Sequence, residues 1–383
     1  MKNSIFYLIV ALIVLSCNQS TANPGPVPVP VPPTNKKVQV AILFDTSNSM
    51  DGLIDQAKTR IWGIVNEINS LRYNGEVPKI EIALYEYGKS TLSVKDDYVR
   101  KILDLTSDLD LISQQLFALT TNGGDEFCGA VIKHSLNELE WSNDPTDLKL
   151  IYIAGNEPFN QGPVNYKEVC SDAKAKGIFI NTIYCGDYDQ GVREFWKDGA
   201  TCSTGDYFNI NSDAKIVHID TPYDSKIDLY NDSLNRTYYG YGNQGRMKKE
   251  MQVMQDSNAE SQSMSSKADR VAAKASANYS NATWDIVDAV EEKEVDITKL
   301  KDEDLPAELK GKTEKEKLQF IEETKKDRVH YQKNIQELSV QRQKYIDEEL
   351  KKRSGEAPVD DFGSSVNESI RKAALKNGYE TQP

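Results

Sequence analysis

Hydrophobic and polar residues follow two different periods along residues 38–219. Short apolar or alternating runs predict strands, and runs with apolar residues three or four positions apart predict helices. The predicted strands are 38–44, 79–87, 148–153, 177–184 and 207–210, and the predicted helices are about 53–71, 108–119, 126–140, 166–175 and 192–202. Strands that alternate with helices predict an α/β fold, in which a doubly wound, Rossmann-like parallel sheet lies between two layers of helices. Ligands of such sheets bind at the carboxyl ends of the strands.

A different pattern begins at residue 220 and continues to residue 383, where helical spacing prevails. Helices are predicted at 223–240, 246–279, 284–290 and around 370–375, with a turn at 305–309. A long helix is predicted at about 313–353, because Thr313 and Glu316 form a capping-box pattern at its start. Its apolar stripe is imperfect, so a coiled coil within the chain or between chains remains open; packing within the chain is favoured.

The first 17 residues have the pattern of a secretory signal. Lys2 provides a basic start, and Ile5–Leu15 is an apolar run shorter than the roughly 20 residues of a transmembrane helix. The run ends in Val-Leu-Ser-Cys, which resembles a bacterial lipobox and implies that Cys17 is lipidated. The alternative is an ordinary signal peptide with a chance cysteine. We therefore expect a protein of the bacterial cell envelope, held to a membrane by lipid and either periplasmic or exposed on the cell surface.

Residues 18–37 are rich in proline and include an alternating Val-Pro run. This composition favours polyproline II, which extends by about 3.1 Å per residue. It predicts a semi-rigid spacer between the anchor and a folded domain; the alternative is a ligand for a proline-binding domain. The chain is thus divided into a signal segment 1–17, a linker 18–37, an α/β domain 38–219 and a helical region 220–383.

The composition argues against several classes of function. Acidic residues outnumber basic ones by 59 to 46, and the net charge of −13 disfavours a general nucleic-acid-binding protein. Three histidines, and five cysteines without a Cys-x-x-Cys pair, leave little material for zinc ribbons or iron–sulfur sites. A Gly-x-Gly-x-x-Gly run at 240–245 follows a helical pattern rather than a strand, so it does not predict a dinucleotide site. The sequence contains no recognisable constellation of nucleophile and base and does not predict an enzyme.

One motif carries chemistry, the run Asp45-x-Ser47-x-Ser49 directly after the first predicted strand. It places one carboxylate and two hydroxyls on a tight loop, and such hard oxygen donors suit Mg²⁺, Mn²⁺ or Ca²⁺. The segment Ile-Leu-Phe-Asp-Thr-Ser-Asn-Ser-Met resembles the start of a von Willebrand factor type A (VWA) domain, and the resemblance covers residues 38–219. It implies a metal-ion-dependent adhesion site (MIDAS). In that site two further loops complete the metal's surroundings, and a carboxylate of a protein or peptide partner takes the metal's open position.

The resemblance also implies metal contacts from a second loop, at Thr121–Glu126. Asp125 follows a Gly-Gly pair and is the expected ligand, whereas Thr120, Thr121 and Glu126 are weaker candidates. The alternative is a glycine-rich turn in which Asp125 caps the next helix.

The third loop departs from the family pattern. Where VWA domains often have an acidic residue, this chain has Gly155 or Asn156, depending on the spacing used. Asn156 and Glu157 are the possible third-loop contacts. The loss of one carboxylate should weaken cation binding, so the site is either metal-binding with a neutral third loop or a degenerate site that only stabilises its loops.

Four cysteines lie beyond the lipobox: Cys128, Cys170, Cys185 and Cys202. In an oxidising envelope they allow three pairings, and the alternative is buried thiols. Buried thiols are favoured, because a domain of this size needs no disulfide.

Two functions fit these observations. The leading hypothesis is a lipid-anchored binding protein that recognises a protein or peptide carboxylate through a divalent cation at Asp45, Ser47, Ser49 and Asp125. The alternative is a structural envelope or scaffold protein with a degenerate metal site. That protein would act through residues 220–383, which resemble the helical extension of bacterial VWA lipoproteins. No nucleic-acid partner is expected.

Overall fold

In the described residues, a six-stranded sheet lies at the centre of the molecule. The structure is a computed structural model that describes residues 36–211, 213–214, 216, 218–352 and 362–381. The predicted signal segment with Cys17, and the proline-rich linker up to residue 35, lie outside the described residues.

The strands are β1 (Lys37–Asp45), β2 (Leu71–Arg72), β3 (Lys79–Tyr87), β4 (Val99–Thr106), β5 (Leu148–Gly155), β6 (Phe179–Cys185), β7 (Tyr207–Ile210) and β8 (Glu380–Thr381). The central sheet has the order β4-β3-β1-β5-β6-β7, and β2 pairs with β8. Its strands run parallel except β4, which is antiparallel to β3. Asp45 lies opposite Tyr87, and Phe44 lies opposite Ala154, so the loops after β1, β3 and β5 meet at one edge.

The predicted fold class is confirmed, since helices cover both faces of a doubly wound sheet. All five predicted strands are present. The prediction of an entirely parallel sheet is wrong at one edge, where β4 was not predicted. Most residues of β4 are partly exposed, so this strand lacks the buried apolar run by which the parallel strands were found.

The helices described between residues 51 and 201 are α1 (Asp51–Asn69), α2 (Leu109–Phe117), α3 (Cys128–Glu138), α4 (Tyr166–Ala175), α5 (Tyr188–Arg193) and α6 (Trp196–Thr201). α1 and α2 cover one face of the sheet, and α3, α4 and α6 cover the other. The single helix predicted at 192–202 is instead α5 and α6. The break lies at Phe195, whose φ of 69° is left-handed and cannot continue a right-handed helix.

The helices described beyond residue 220 are α7 (Asp224–Asn235), α8 (Gly245–Gln262), α9 (Met264–Lys274), α10 (Ile286–Glu291), α11 (Glu314–Lys352) and α12 (Phe362–Lys376). The single helix predicted at 246–279 is wrong, because Ser263 is extended and its hydroxyl accepts a hydrogen bond from the Ser266 N–H (2.9 Å), which caps α9. The predicted capping box is present: the Glu316 carboxylate accepts from the Thr313 N–H at 2.9 Å, and the Thr313 hydroxyl accepts from the Glu316 N–H at 3.4 Å.

The C-terminal helices pack on the same side of the sheet as α1. α9 and α12 contact α1, and α8 contacts α2. Phe362 of α12 meets Phe44 of β1 with ring centroids 5.5 Å apart, so both regions share one hydrophobic cluster. α11 contacts α7, α9 and α10 of the same chain. None of the described helices combines the length and the apolar character that crossing a membrane requires.

Buried ion pairs connect the C-terminal helices to the sheet domain. The Arg270 guanidinium of α9 contacts Asp110 of α2 at 2.7 Å and Asp256 of α8 at 2.5 Å. It also lies over the Trp62 ring of α1, 4.7 Å from the centroid. Lys274 contacts Asp256 at 3.0 Å. Burial favours a neutral acid at Asp256, but Lys274 and Arg270 hold its pKa well below the ordinary value.

Two buried arginines anchor the long helix α11 in the same way. Their carboxylate partners belong to other parts of the helical region: Asp285 and Asp288 for Arg328, and Asp224 and Asp269 for Arg342. The removal of one partner from such a pair leaves an uncompensated buried charge, which is strongly destabilising.

A disulfide joins Cys170 of α4 to Cys202, the residue after α6. This corrects the expectation that all four cysteines are buried thiols. Domain size gave no reason for a bridge, but the packing of α6 on α4 brings the two Cα atoms to 5.7 Å, within the range that a disulfide spans. Cys128 and Cys185 remain thiols.

We expect Arg270→Met to lower the free energy of unfolding by about 3–5 kcal/mol, because the buried carboxylates of Asp110 and Asp256 lose a counter-charge. Urea denaturation followed by circular dichroism measures the change. The matched control is Arg246→Met, whose side chain is 92% exposed and pairs with Glu250 at the surface. The control substitution should lower the free energy of unfolding by about 0.5 kcal/mol or less. Equal losses in both variants would contradict the role given to the buried pairs.

Candidate metal-binding site

Asp45 is the last residue of β1 and is fully buried at the carboxyl edge of the sheet. Its Oδ1 accepts a hydrogen bond from the Ser47 N–H at 2.7 Å, which tightens the loop after the strand. Its Oδ2 is buried and has no hydrogen-bond partner among the described residues. The Ser47 and Ser49 hydroxyl oxygens lie 3.1 Å apart, so the first predicted loop brings its three oxygen donors together.

Backbone hydrogen bonds hold the second loop against the first. The Asn122 N–H donates to the Thr46 carbonyl at 2.9 Å, and the Thr46 N–H donates to the Tyr87 carbonyl at 2.9 Å. The Glu126 side chain is consequently buried beside the first loop, within hydrogen-bonding reach of the Asp45 and Ser47 side chains. Its Oε2 also lacks a partner among the described residues.

Gly88 makes room for this contact between two acidic side chains. A Cβ at position 88 would lie 2.7 Å from Glu126 Cγ and 2.8 Å from Asp45 Oδ1, and the φ of Gly88 is +81°. Both the close approach and the left-handed conformation therefore require glycine. The loop after β3 thus allows Asp45 and Glu126 to meet.

The two carboxyl groups affect each other unequally, since the hydrogen bond between them lowers the pKa of Asp45 and raises that of Glu126. Burial raises the pKa of Asp45 and of Glu126, and the Asp45 carboxylate raises the pKa of Glu126 further. In the described part of the chain, neither forms a salt bridge with a lysine or arginine. The raised pKa values favour a proton on the pair, and a cation bound between its oxygens would take the place of that proton.

The third loop contributes a neutral oxygen and a nearby charge. The Ser49 hydroxyl donates to Asn156 Oδ1 at 3.5 Å, so Asn156 lies beside the first loop. Glu157 is exposed, but its charge is close enough to raise the pKa values of Asp45 and Glu126. A Cβ at Gly155 would lie 2.7 Å from Tyr87 Oη and 3.2 Å from Asp45 Oδ2. An acidic residue at 155 would therefore displace its neighbours.

The remaining predicted site residues do not meet Asp45. Asp125, the expected second-loop ligand, is exposed, and Glu126 takes the place beside Asp45. Thr120 accepts a hydrogen bond from Lys89 at 3.1 Å, and Thr121 donates to Asp51. The alternative role of Asp125 as a helix cap is wrong, since α3 begins after Phe127 without a side-chain cap.

The sequence offered no basis for choosing Glu126 over Asp125, since the two are adjacent carboxylates on one loop. The packing of that loop against the first one decides which of them faces inward: Glu126 is buried and Asp125 is exposed. Cys128, the first residue of α3, is buried as well, with its sulfur 3.7 Å from Tyr87 Oη.

The donors brought together here are two carboxylates, two hydroxyls and an amide oxygen. The described residues contain no group of three or more His, Cys, Asp or Glu side chains that could hold a metal ion. The set nevertheless fits a hard divalent cation, because both carboxylates carry a buried unpartnered oxygen and the remaining donors are neutral oxygens.

Comparisons with known proteins add likenesses at the level of structure. No family model matches the sequence, and no curated protein does either. The solved structures that resemble the chain include proximal thread matrix protein 1 from the mussel byssus with a zinc-occupied MIDAS motif (15% identity, TM-score 0.35). They also include BatB from Bacteroides thetaiotaomicron (16%, 0.35) and the SpRpn10 VWA domain (19%, 0.34).

Each of these likenesses covers 45% of this chain. The matched part amounts to 41% of the mussel protein, 90% of BatB and 87% of the SpRpn10 domain. At these identities and TM-scores the likenesses carry no conclusion about function. The sheet order and the strand directions establish the fold.

We expect the stability of the metal-free protein to fall as pH rises from about 5 to 8. The raised pKa values of Asp45 and Glu126 mean that the folded state binds more protons than the unfolded chain above pH about 4. Stability is therefore lost as pH rises through the folded-state pKa values. Glu126→Gln should flatten this dependence in EDTA, measured by urea denaturation at several pH values. Asp125→Asn, at the exposed neighbour, should keep the wild-type slope, and an unchanged slope in Glu126→Gln would contradict the buried pair.

Proposed function

We propose that this chain is a binding protein whose α/β domain recognises a protein or peptide carboxylate through a divalent cation. The observation that carries the proposal is the buried contact between Asp45 and Glu126, in which each carboxylate has an unpartnered oxygen. A cation would stabilise the charged forms of both, and within the described residues no lysine or arginine forms a salt bridge with either carboxylate. The resemblance of the Asp-x-Ser-x-Ser loop to VWA domains agrees with this role.

The residues that would hold the cation are Asp45, Glu126, Ser47 and Ser49, with Asn156 beside them. Bound there, Mg²⁺, Mn²⁺ or Ca²⁺ would supply a positive centre for a carboxylate oxygen of the partner. The neutral Asn156 leaves the site less negative than one with a third carboxylate. We propose that this weakens cation binding in the free protein and favours completion of the site by the partner.

Recognition rather than catalysis is proposed. The Cys128 thiol lies close enough to Asp45 and Glu126 to feel their charges, and burial raises its pKa far above the ordinary value. It is therefore held as an unreactive thiol. Within the described residues, no histidine contacts Ser47 or Ser49 to act as a base.

We further propose that the protein is anchored by lipid at Cys17 in the bacterial cell envelope. The lipobox resemblance supports this, and the proline-rich segment 18–37 would hold the domain away from the membrane. Two or three acyl chains give a stable anchor, whereas one does not.

The proposal is tested by calorimetric titration of the chain lacking residues 1–17, after EDTA treatment, with Mg²⁺, Mn²⁺ and Ca²⁺. We expect binding in the micromolar to millimolar range, because two carboxylates and neutral oxygens form a moderately charged site. Asp45→Ala should abolish it, and Glu126→Gln should weaken it by at least about tenfold.

The matched control for Glu126→Gln is Asp125→Asn, the adjacent exposed carboxylate, which should keep the wild-type affinity within about twofold. Loss of cation binding in both variants would indicate that the cation responds to the overall negative charge of the loop rather than to a specific site. Absence of binding in the wild-type chain would contradict the proposal and would favour the C-terminal helices as the contact surface.

A further inference from the structure

Three large apolar side chains are exposed in the segment that follows β6. Tyr188, Val192 and Phe195 are 43%, 39% and 41% exposed, and together they are called the aromatic ridge here. They lie within eight residues of each other, on α5 and at the start of α6. Single exposed apolar residues are ordinary, whereas three of them within one short segment are a candidate contact surface.

The ridge borders the candidate metal-binding site. The Phe159 N–H donates to the Glu194 carbonyl at 2.9 Å, and Trp196 Nε1 donates to the Glu157 carbonyl at 2.8 Å. The residues on both sides of Phe195 are therefore fixed to the third loop. A Cβ at Gly155 would lie 3.2 Å from the Trp196 ring and 3.2 Å from Asp45 Oδ2, so this tryptophan reaches the edge of the site.

Phe195 is held in a conformation that suits glycine. Its φ of 69° and ψ of 10° are left-handed, which bulky side chains rarely adopt. Phe195 remains 41% exposed, and the ring contact recorded for it is with Tyr166, at a centroid distance of 6.4 Å. A strained and exposed aromatic side chain beside a binding site indicates a function outside the fold.

The charges around the ridge indicate what a partner must carry. The exposed acidic residues on the loops and helix starts of this edge include Asp51, Asp125, Glu157, Asp187 and Asp189. Arg193 and Lys197 are the exposed basic residues of the ridge segment, and the Lys197 ammonium donates to the Tyr188 hydroxyl at 3.0 Å. The edge is therefore acidic overall and complements basic side chains.

We propose that the aromatic ridge selects peptide segments in which the metal-binding carboxylate is adjacent to an aromatic side chain and flanked by basic residues. This inference rests on the proposed function. The carboxylate reaches the metal at Asp45 and Glu126, the aromatic side chain packs on Tyr188 and Phe195, and the basic residues face the surrounding acids. The site thus recognises three features of one segment of its partner.

The test uses the chain lacking residues 1–17 with Mn²⁺ and three labelled peptides in a fluorescence anisotropy titration. The first peptide contains Lys-Asp-Phe-Lys, the second has Asn in place of Asp, and the third has Ala in place of Phe. We expect the first to bind at least tenfold more tightly than the other two, and EDTA to remove that binding. Phe195→Gly should lower the affinity for the first peptide at least tenfold and leave the Mn²⁺ affinity unchanged.

A second measurement separates loss of binding from loss of folding. Because glycine relieves the left-handed strain, Phe195→Gly should unfold at the same temperature as the wild type or at a higher one. Leu229→Ser is the matched control, since Leu229 is an exposed apolar residue on α7, and it should bind the first peptide normally.

The outcomes distinguish the two proposals. The inference about the ridge is overturned by any of three results. Phe195→Gly binds the first peptide as the wild type does, the Phe and Ala peptides bind equally, or the first peptide does not bind at all. Peptide binding that survives EDTA and does not distinguish Asp from Asn overturns the metal-assisted function, whether or not Phe195 matters.

Discussion

β1 lies at the centre of the sheet with neither face open to water, since the exposed fractions of its apolar residues from Val38 to Phe44 are 4% or less. Its burial requires helices on both sides, and parallel pairing with β3 and β5 satisfies its backbone groups. The same pairing ends the three strands at one edge. Asp45, the first polar residue after the apolar run, is therefore buried where three loops converge, and the candidate site depends on this position.

The site places its carboxylates under an electrostatic constraint that the loops maintain. Asp45 and Glu126 meet because Gly88 removes a side chain between them and because Asn122 ties the second loop to the first. Such a contact is unfavourable for two charged groups in a buried setting. In the metal-free fold the raised pKa values favour a proton on the pair, and a cation would stabilise its charged form, which links the stability of the loops to the occupancy of the site.

The C-terminal helices pack directly on the sheet domain and share its core. Their apolar residues share a hydrophobic cluster with β1 and α1, and Arg270 connects α9 to Asp110 of the sheet domain. Buried pairs of this kind contribute little net stability compared with apolar packing, but they are intolerant of a missing partner. They therefore determine which helices pack against each other, and the ion pairs of Arg328 and Arg342 have this role for α11.

The sequence by itself determined the features that depend on neighbouring residues. The apolar run of β1, the Asp-x-Ser-x-Ser loop and the capping box at Thr313 are local patterns, and each is present where it was predicted. Only the tertiary structure decided the features that depend on distant segments. It added β4 at the sheet edge, joined Cys170 to Cys202, and turned Glu126 rather than Asp125 toward Asp45. Periodicity reports which face of an element is apolar, whereas the meeting of two side chains is set by the packing of elements far apart in the chain.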